Sequence, residues 1–179
     1  MKKILSSEDF SKVLYRLAKQ ILEKSPKAAE LVLIGVQTRG VCLAKRIQAT
    51  IKEIEGISPP LGILDITLYR DDLTAVGPRP LVKETKINFD LENKEVILVD
   101  DVLYTGRTAR AALNEIMDFG RPKKINFLVL IDRGHRELPI RADFVGKNVP
   151  TAKDELVEIK FKEIDGKDEA VVVEKNEVD

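Results

Sequence analysis

Two rhythms alternate along the chain. Short, almost wholly apolar runs, Leu31–Val36, Val96–Val99 and Ile125–Ile131, alternate with longer stretches in which apolar residues recur at helical spacing. Runs of that length are too short for buried helices and predict strands covered on both faces, while the helical spacing predicts helices with one buried face. Phe10, Val13, Leu14, Leu17, Ala18, Ile21 and Leu22 form one such stripe, opened by Ser6 and Asp9 at capping-box spacing. A second helix is predicted over about Val41 to Glu55 and a third over Ala109 to Phe119, the latter through Leu113, Ile116 and Met117. Leu61 to Leu68 reads as another strand, with Leu64, Ile66 and Leu68 on one side. The segment from Tyr69 to about Thr85 carries Asp71-Asp72, Gly77-Pro78 and Pro80 and predicts a mobile loop. Asp132 to Thr151, rich in Arg, Gly and Pro, is predicted to be irregular. Val157–Phe161 and Ala170–Glu174, joined through Asp165-Gly166, predict a terminal β-hairpin. The alternation of strands and helices places the chain in the α/β class, and with no repeat or linker residues 1–179 are expected to form a single domain.

Composition narrows the functional classes. A chain of 179 residues buries a core without disulfides or structural metal. The single cysteine, Cys42, excludes an intrachain disulfide, suggests a reducing compartment and falls in a helical pattern as a small core residue. No apolar run approaches the ~20 residues of a membrane span, and Lys2-Lys3 is not followed by the apolar stretch of a signal peptide. No membrane partner and a cytoplasmic location are therefore expected. Thirty basic and thirty acidic side chains cancel, so any nucleic-acid contact has to use a local patch.

The chemistry concentrates in Val96–Thr108, which reads VILVDDVLYTGRT. Asp100 and Asp101 are predicted at the carboxyl end of a central strand, where open α/β sheets bind ligands. Two adjacent carboxylates repel each other unless hydroxyl donors or a divalent cation share their charge, and a ribose diol with Mg²⁺ supplies both. Thr105 is the predicted N-cap of the following helix, and Gly106 admits close backbone approach. Free N–H groups at a helix start favour a phosphate, aided by the hydroxyls of Thr105 and Thr108 and the charge of Arg107. Each residue alone also fits an ordinary strand-to-helix turn. The combined string resembles the phosphoribosyl-pyrophosphate (PRPP) signature of type I phosphoribosyltransferases. That resemblance implies a central, mainly parallel twisted sheet flanked by helices, with a small hood. It implies that Asp100 and Asp101 hold the ribose hydroxyls, with Mg²⁺ bound indirectly through ribose or water, and that Val102, Leu103, Tyr104, Thr105, Gly106, Arg107 and Thr108 form the nucleotide loop.

Gly35-Val36-Gln37-Thr38-Arg39-Gly40 sits at another strand end. On its own it reads either as a structural turn or as a loop that wraps a pyrophosphate with N–H groups and Arg39. Beside the signature it resembles the family's pyrophosphate loop, which implies that Thr38 and Arg39 bind PRPP. Arg70, Arg79 and Lys83 in the Tyr69–Thr85 segment read either as a lid over the leaving pyrophosphate or as a solvated connector. The implied reaction is displacement of pyrophosphate from PRPP by a nucleobase ring nitrogen, with Asp100, Asp101 and Arg39 as the catalytic set and no covalent protein nucleophile. In 6-oxopurine phosphoribosyltransferases an acid that handles the purine ring proton stands three positions beyond the second acidic residue. Here that position is Tyr104, which argues against hypoxanthine or guanine as substrate.

A longer resemblance follows. Asp132-Arg133-Gly134-His135-Arg136-Glu137-Leu138-Pro139-Ile140-Arg141-Ala142-Asp143, continuing to Val145-Gly146-Lys147-Asn148, joins Leu68-Tyr69-Arg70-Asp71-Asp72-Leu73 and the Val96–Thr108 string. Together they resemble the family of bifunctional pyrimidine-operon regulators and uracil phosphoribosyltransferases, over nearly the whole chain. The resemblance implies a cytoplasmic bacterial protein that binds UMP or UTP, then binds a leader-RNA hairpin of the pyrimidine biosynthetic operon and attenuates its transcription. It also implies UMP synthesis from uracil and PRPP and assembly as a homodimer or homotetramer. Arg133 and His135 are the expected base-binding residues. Lys12, Arg16 and Lys19 recur at i, i+4 and i+7 as a basic stripe, which alone reads as a solvated face. The resemblance places that stripe, with Thr38, His135, Arg141 and Lys147, in RNA contact. For His135, the only histidine, proton transfer and hydrogen bonding to base or RNA both stay open. With one cysteine and no second histidine, a zinc site lacks ligands. The alternatives are a salvage enzyme for another base without RNA regulation, and a catalytically weak nucleotide sensor.

Overall fold

The computed structural model describes residues 1–67 and 84–175. Arg70, Arg79 and Lys83, and the string Leu68–Leu73, lie outside the described residues. In chain order the elements are β1 (Lys2–Leu5), α1 (Ser7–Lys24), β2 (Leu31–Val36), α2 (Arg39–Glu55), β3 (Leu61–Leu64), β4 (Glu95–Leu103), α3 (Arg107–Phe119), β5 (Lys124–Asp132), β6 (Phe144–Asn148), β7 (Glu155–Lys160), the single turn α4 (Lys162–Asp165) and β8 (Glu169–Glu174).

A five-stranded parallel sheet in the order β3-β2-β4-β5-β6 forms the centre. Its inner strands are apolar at consecutive positions because both faces are covered, and alternate side chains enter different cores. Leu31, Leu33, Ile97, Val99, Leu128 and Leu130 point to the side packed by α1 and α2. Val32, Ile34, Val96, Leu98 and Val129 point to the side packed by α3. The predicted stripe on α1 faces inward, with Phe10, Leu14, Leu17, Ala18 and Ile21 buried. Its capping box forms: Asp9 N donates to Ser6 Oγ at 3.3 Å and Ser6 N donates to Asp9 Oδ2 at 2.8 Å.

The expected hairpin is present as β7 and β8, and β1 joins it to make a three-stranded antiparallel sheet in the order β1-β8-β7. This small sheet is the hood. It seats on the α1 and α2 side through Phe161, fully buried and edge-on to Phe10 at a ring separation of 5.7 Å. Arg46 of α2 reinforces the seat, its Nε donating to Glu163 Oε1 at 2.9 Å and its Nη2 to Asp168 Oδ1 at 2.6 Å. Cys42 is buried there as expected, its thiol pushed up to about 11 by burial and by Glu163.

Four boundaries depart from expectation. β1 carries only two apolar residues and owes its conformation to β8. β3 stops at Leu64 rather than Leu68, because Asp65 Oδ1 accepts both the N–H and the hydroxyl of Thr67 and turns the chain. β6 lies inside the stretch expected to be irregular, paired to β5 through Phe144 and Val145. β4 runs through the acidic pair to Leu103, held by its pairing to β5 as far as Asp132. Among the described residues no helix is long and apolar enough to cross a membrane.

Candidate functional site

The site begins where β2 turns into α2. A Cβ on Gly40 would lie 2.6 Å from Val99 O and 3.2 Å from Asp100 Cα, so only glycine lets the first turn of α2 rest directly on β4. That contact brings Thr38 and Arg39 beside the acidic pair. The Gln37–Thr38 peptide is cis, and Gln37 N donates to Leu64 O at 2.8 Å. Arg39 Nε donates to Ile159 O at 2.7 Å and its Nη2 to Asp165 Oδ1 at 2.9 Å, so the guanidinium is tied to the hood. Arg39 and Asp101 share a cavity of 390 Å³ with Val157–Lys160 of β7. Lys160 is a cation of this cavity that sequence reasoning missed, since a lysine in a late hairpin carries no signal of its own.

Asp100 is 7% exposed and Asp101 half-buried. The backbone satisfies one oxygen of each, Asp101 N donating to Asp100 Oδ1 and Val102 N to Asp101 Oδ1, both at 2.9 Å. Burial, and then the neighbouring charge of Asp101, push the Asp100 carboxyl well above the usual carboxylate range. Such a pair is relieved by hydroxyl donors or by a cation. Among the described residues no group of three or more His, Cys, Asp or Glu could hold a metal ion. Two adjacent carboxylates are the kind of donor set that Mg²⁺ accepts, since it keeps several waters and binds through one or two carboxylates plus substrate oxygens.

Beyond the pair lies the segment expected to take a phosphate. Gly106, at φ +92°, is the N-cap of α3, and the helix begins at Arg107. Thr105 is therefore not the cap; its Oγ1 instead accepts Arg107 N at 3.3 Å, one residue before the left-handed turn that glycine makes possible. Asp100, Phe127 and all residues from Val102 to Ala109 line a cavity of 310 Å³ over this helix start. The predicted nucleotide residues Val102–Thr108 thus surround one space. Arg107 Nε donates to Glu137 Oε2 at 2.7 Å, and both side chains are about half exposed, which makes the pair a weak one.

A third cavity, of 440 Å³, lies between Asp132–Arg136 and Asn148–Thr151. Arg133 is buried, its Nε donating to Thr151 Oγ1 at 3.0 Å and its Nη2 to Ala152 O at 3.1 Å and Glu155 O at 2.6 Å. Its guanidinium lies 4.1 Å from the centre of the Tyr104 ring. Arg133 therefore forms a wall behind Tyr104. His135 adopts φ +60° and its Nε2 lies 2.6 Å from Thr151 O, which assigns the proton to Nε2, while its ring meets Tyr104 edge-on at 5.8 Å.

The residues expected to contact RNA are spread more widely. Lys12 is exposed and pairs with Glu8 at 2.7 Å, and Lys19 lies over Tyr15 at 5.7 Å. Arg16 donates to Val145 O at 3.3 Å and to Gly146 O, docking α1 on β6. Lys147, on the same strand, donates to Ile4 O at 2.9 Å. Arg16 and Lys147 are thus gathered at β6, Arg141 is exposed, His135 lines the third cavity and Thr38 lies at the α2 turn.

Residues 1–163 match the phosphoribosyl transferase domain family. Similar curated proteins include the bifunctional protein PyrR of Thermus aquaticus, 56% identical over 96% of this chain and 95% of that protein. The bifunctional protein PyrR of Caldicellulosiruptor saccharolyticus is 55% identical over 97% of this chain and 94% of its own. Among solved structures, the hypoxanthine phosphoribosyltransferase of Trypanosoma cruzi superposes with a TM-score of 0.74 over 97% of both chains at 18% identity. That of Staphylococcus aureus gives 0.74 over 99% of this chain and 94% of that one, also at 18% identity. At such identities the two structures speak for the fold alone.

Proposed function

The chain belongs to the phosphoribosyl transferase family and, within it, to the bifunctional PyrR proteins, and from that premise we propose a uridine-nucleotide-dependent RNA-binding regulator that also makes UMP. As regulator it binds UMP or UTP and then a leader-RNA hairpin, attenuating transcription of the pyrimidine operon. As enzyme it converts uracil and PRPP to UMP and pyrophosphate. The observation that carries the reading is the acidic pair on β4, set between the phosphate loop on one side and the Arg39 turn on the other.

In this reading the N–H groups at the start of α3 and the hydroxyls of Thr105 and Thr108 take the 5′-phosphate. Asp100 and Asp101 accept from the ribose hydroxyls and hold the sugar while a ring nitrogen of uracil bonds to C1′ and the bond to pyrophosphate breaks. Positive charge developing on the ribose is favoured beside two carboxylates. Arg39 and Lys160 supply positive charge on the pyrophosphate side. Asp100 and Asp101 would hold Mg²⁺ through ribose or water, and the ion would neutralise the departing charge. Tyr104, backed by Arg133 and His135, takes the place of the acid used by 6-oxopurine enzymes, which favours a pyrimidine. The protein is taken to act as a single domain in the cytoplasm, assembled as a homodimer or homotetramer.

A second reading, a catalytically weak nucleotide sensor, is favoured by the attachment of Arg39 to Ile159 and Asp165. The deciding experiment measures UMP formation from uracil and Mg²⁺-PRPP with orotate, adenine and hypoxanthine as competitors, and leader-RNA binding with and without UMP. Selective use of uracil with UMP-dependent RNA binding supports the bifunctional reading. RNA binding without turnover leaves the sensor, and turnover of another base without RNA binding removes both.

A further inference from the structure

The phosphate loop and the turn that carries His135 meet at one side chain, Arg136. Its Nη1 donates at 2.6 Å to Tyr104 O, the carbonyl just after β4 where the phosphate loop begins. Its Nη2 donates to both carboxylate oxygens of Asp132, at 2.8 and 2.6 Å. Asp132 ends β5, and its Oδ1 also accepts Gly134 N at 3.0 Å, which shapes the turn holding His135. The same two segments are stitched again by Thr105 O, which accepts Glu137 N at 2.9 Å and Leu138 N at 3.2 Å. The Asp132 side chain is only 12% exposed and that of Arg136 24%. A forked, shielded pair of this kind is stronger and stiffer than the half-exposed Arg107–Glu137 pair beside it.

Resting on the reading above, we propose that Arg136, braced by Asp132, is a positioning residue that couples the nucleotide site to the RNA face. Adjustment of the loop around a nucleotide phosphate shifts the Tyr104 carbonyl, and Arg136, through Asp132, carries that shift to the backbone of the adjoining His135 turn. A ligand changes a distant affinity only through contacts that differ between two states, and Arg136 is a shielded side chain that bonds both segments, whereas the Arg107–Glu137 pair across them is half exposed. By linkage, RNA raises nucleotide affinity by the same factor by which nucleotide raises RNA affinity.

The test uses the full chain and the Arg136→Gln variant, with the leader hairpin transcribed upstream of the pyrimidine operon. RNA affinity is measured by filter binding without UMP and at saturating UMP, and UMP affinity by calorimetry without RNA. The parent is expected to gain at least about tenfold in RNA affinity from UMP, on the scale of ordinary coupling between sites. In Arg136→Gln that ratio is expected to fall to within about twofold of one while UMP still binds, and Arg136→Lys, which lacks the fork, to give an intermediate ratio. An unchanged ratio in Arg136→Gln, or equal loss of RNA affinity with and without UMP, marks a merely structural role and overturns the inference. Should Arg136→Gln not fold, Arg136→Lys and Asp132→Asn are judged by the same ratio. A parental ratio of one removes the regulator reading itself, whereas a high parental ratio that the variants keep removes only the coupling.

Discussion

Replacing Gly40 with alanine puts a methyl group where the first turn of α2 rests on β4. The new Cβ would stand 2.6 Å from Val99 O, 3.2 Å from Asp100 Cα and 3.3 Å from Val36 Cβ. Ordinary contacts there begin near 3.4 Å, so helix and strand have to separate by about 0.8 Å (3.4 minus 2.6). Neither side yields easily. β4 is clamped between β2 and β5, and the nearest neighbours are backbone atoms. Overpacking of this kind costs about 1–3 kcal/mol, and the better helix propensity of alanine returns up to ~1 kcal/mol. A net loss of about 1–2 kcal/mol lowers the melting temperature of a chain this size by about 2–8 °C. The functional loss is expected to exceed the structural one, because the separation moves the Thr38–Arg39 turn away from Asp100 and Asp101. Misplacement on the order of 1 Å costs roughly 100-fold in rate. Steady-state kinetics with varied PRPP, run beside differential scanning calorimetry on the same preparation, separates the two effects. A Gly40→Ala protein that melts with the parent and keeps kcat/KM within about twofold would refute the close-approach argument, since a shift on that scale predicts far more.

Three further outcomes follow from the electrostatics. The Asp100 carboxyl is held above its ordinary value, so keeping it ionised costs the empty fold stability at high pH, a penalty that is lost as pH falls through the raised value toward the ordinary 3.8. Asp100→Asn is therefore expected to raise the melting temperature at pH 8 by about 2–4 °C, or ~1 kcal/mol, and by less at pH 5, while UMP synthesis falls at least ~100-fold; no rise at pH 8 contradicts this. Glu163 behaves oppositely, its carboxyl lowered to about 2 chiefly by hydrogen bonds from Arg46. Its contribution is present above the ordinary value of 4.5 and is lost as pH drops toward 2, a loss kept below ~1 kcal/mol by its 52% exposure. Melting temperatures across that window should fall less steeply for Glu163→Gln than for the parent. For RNA, Lys19→Ala is expected to reduce the slope of log affinity against log salt by about 1 without changing the melting temperature. Arg16→Ala should lower both, because Arg16 also docks α1 on the carbonyls of Val145 and Gly146; identical behaviour of the two variants counts against that division of labour.

What could be read ahead of the structure, and what could not, divides along a physical line. β2 and β5 were legible because a strand covered on both faces must be apolar at consecutive positions, and α1 because its stripe and capping box are local. β1 and β6 were not, since Lys2–Leu5 and Phe144–Asn148 become strands only by pairing with β8 and β5. The same line runs through the site. The turn into α3 was visible because it lies in one contiguous segment, and Gly106 declares the left-handed residue that starts the helix. Arginines mislead more readily, because a guanidinium looks like a ligand-binding group wherever it occurs. Arg133 is buried, and a buried guanidinium must find acceptors for its donors. It finds Thr151, Ala152 and Glu155 on a later segment, as Arg39 finds Ile159 and Asp165 in the hood. Charge and spacing therefore locate the acidic pair and the phosphate loop, whereas the division of arginines between holding ligand and holding protein is set by distant carbonyls. Arg133, its Nε and Nη2 bonded to Thr151, Ala152 and Glu155 and its face against Tyr104, is held largely by protein, whereas the Arg107 pair with Glu137 is half exposed.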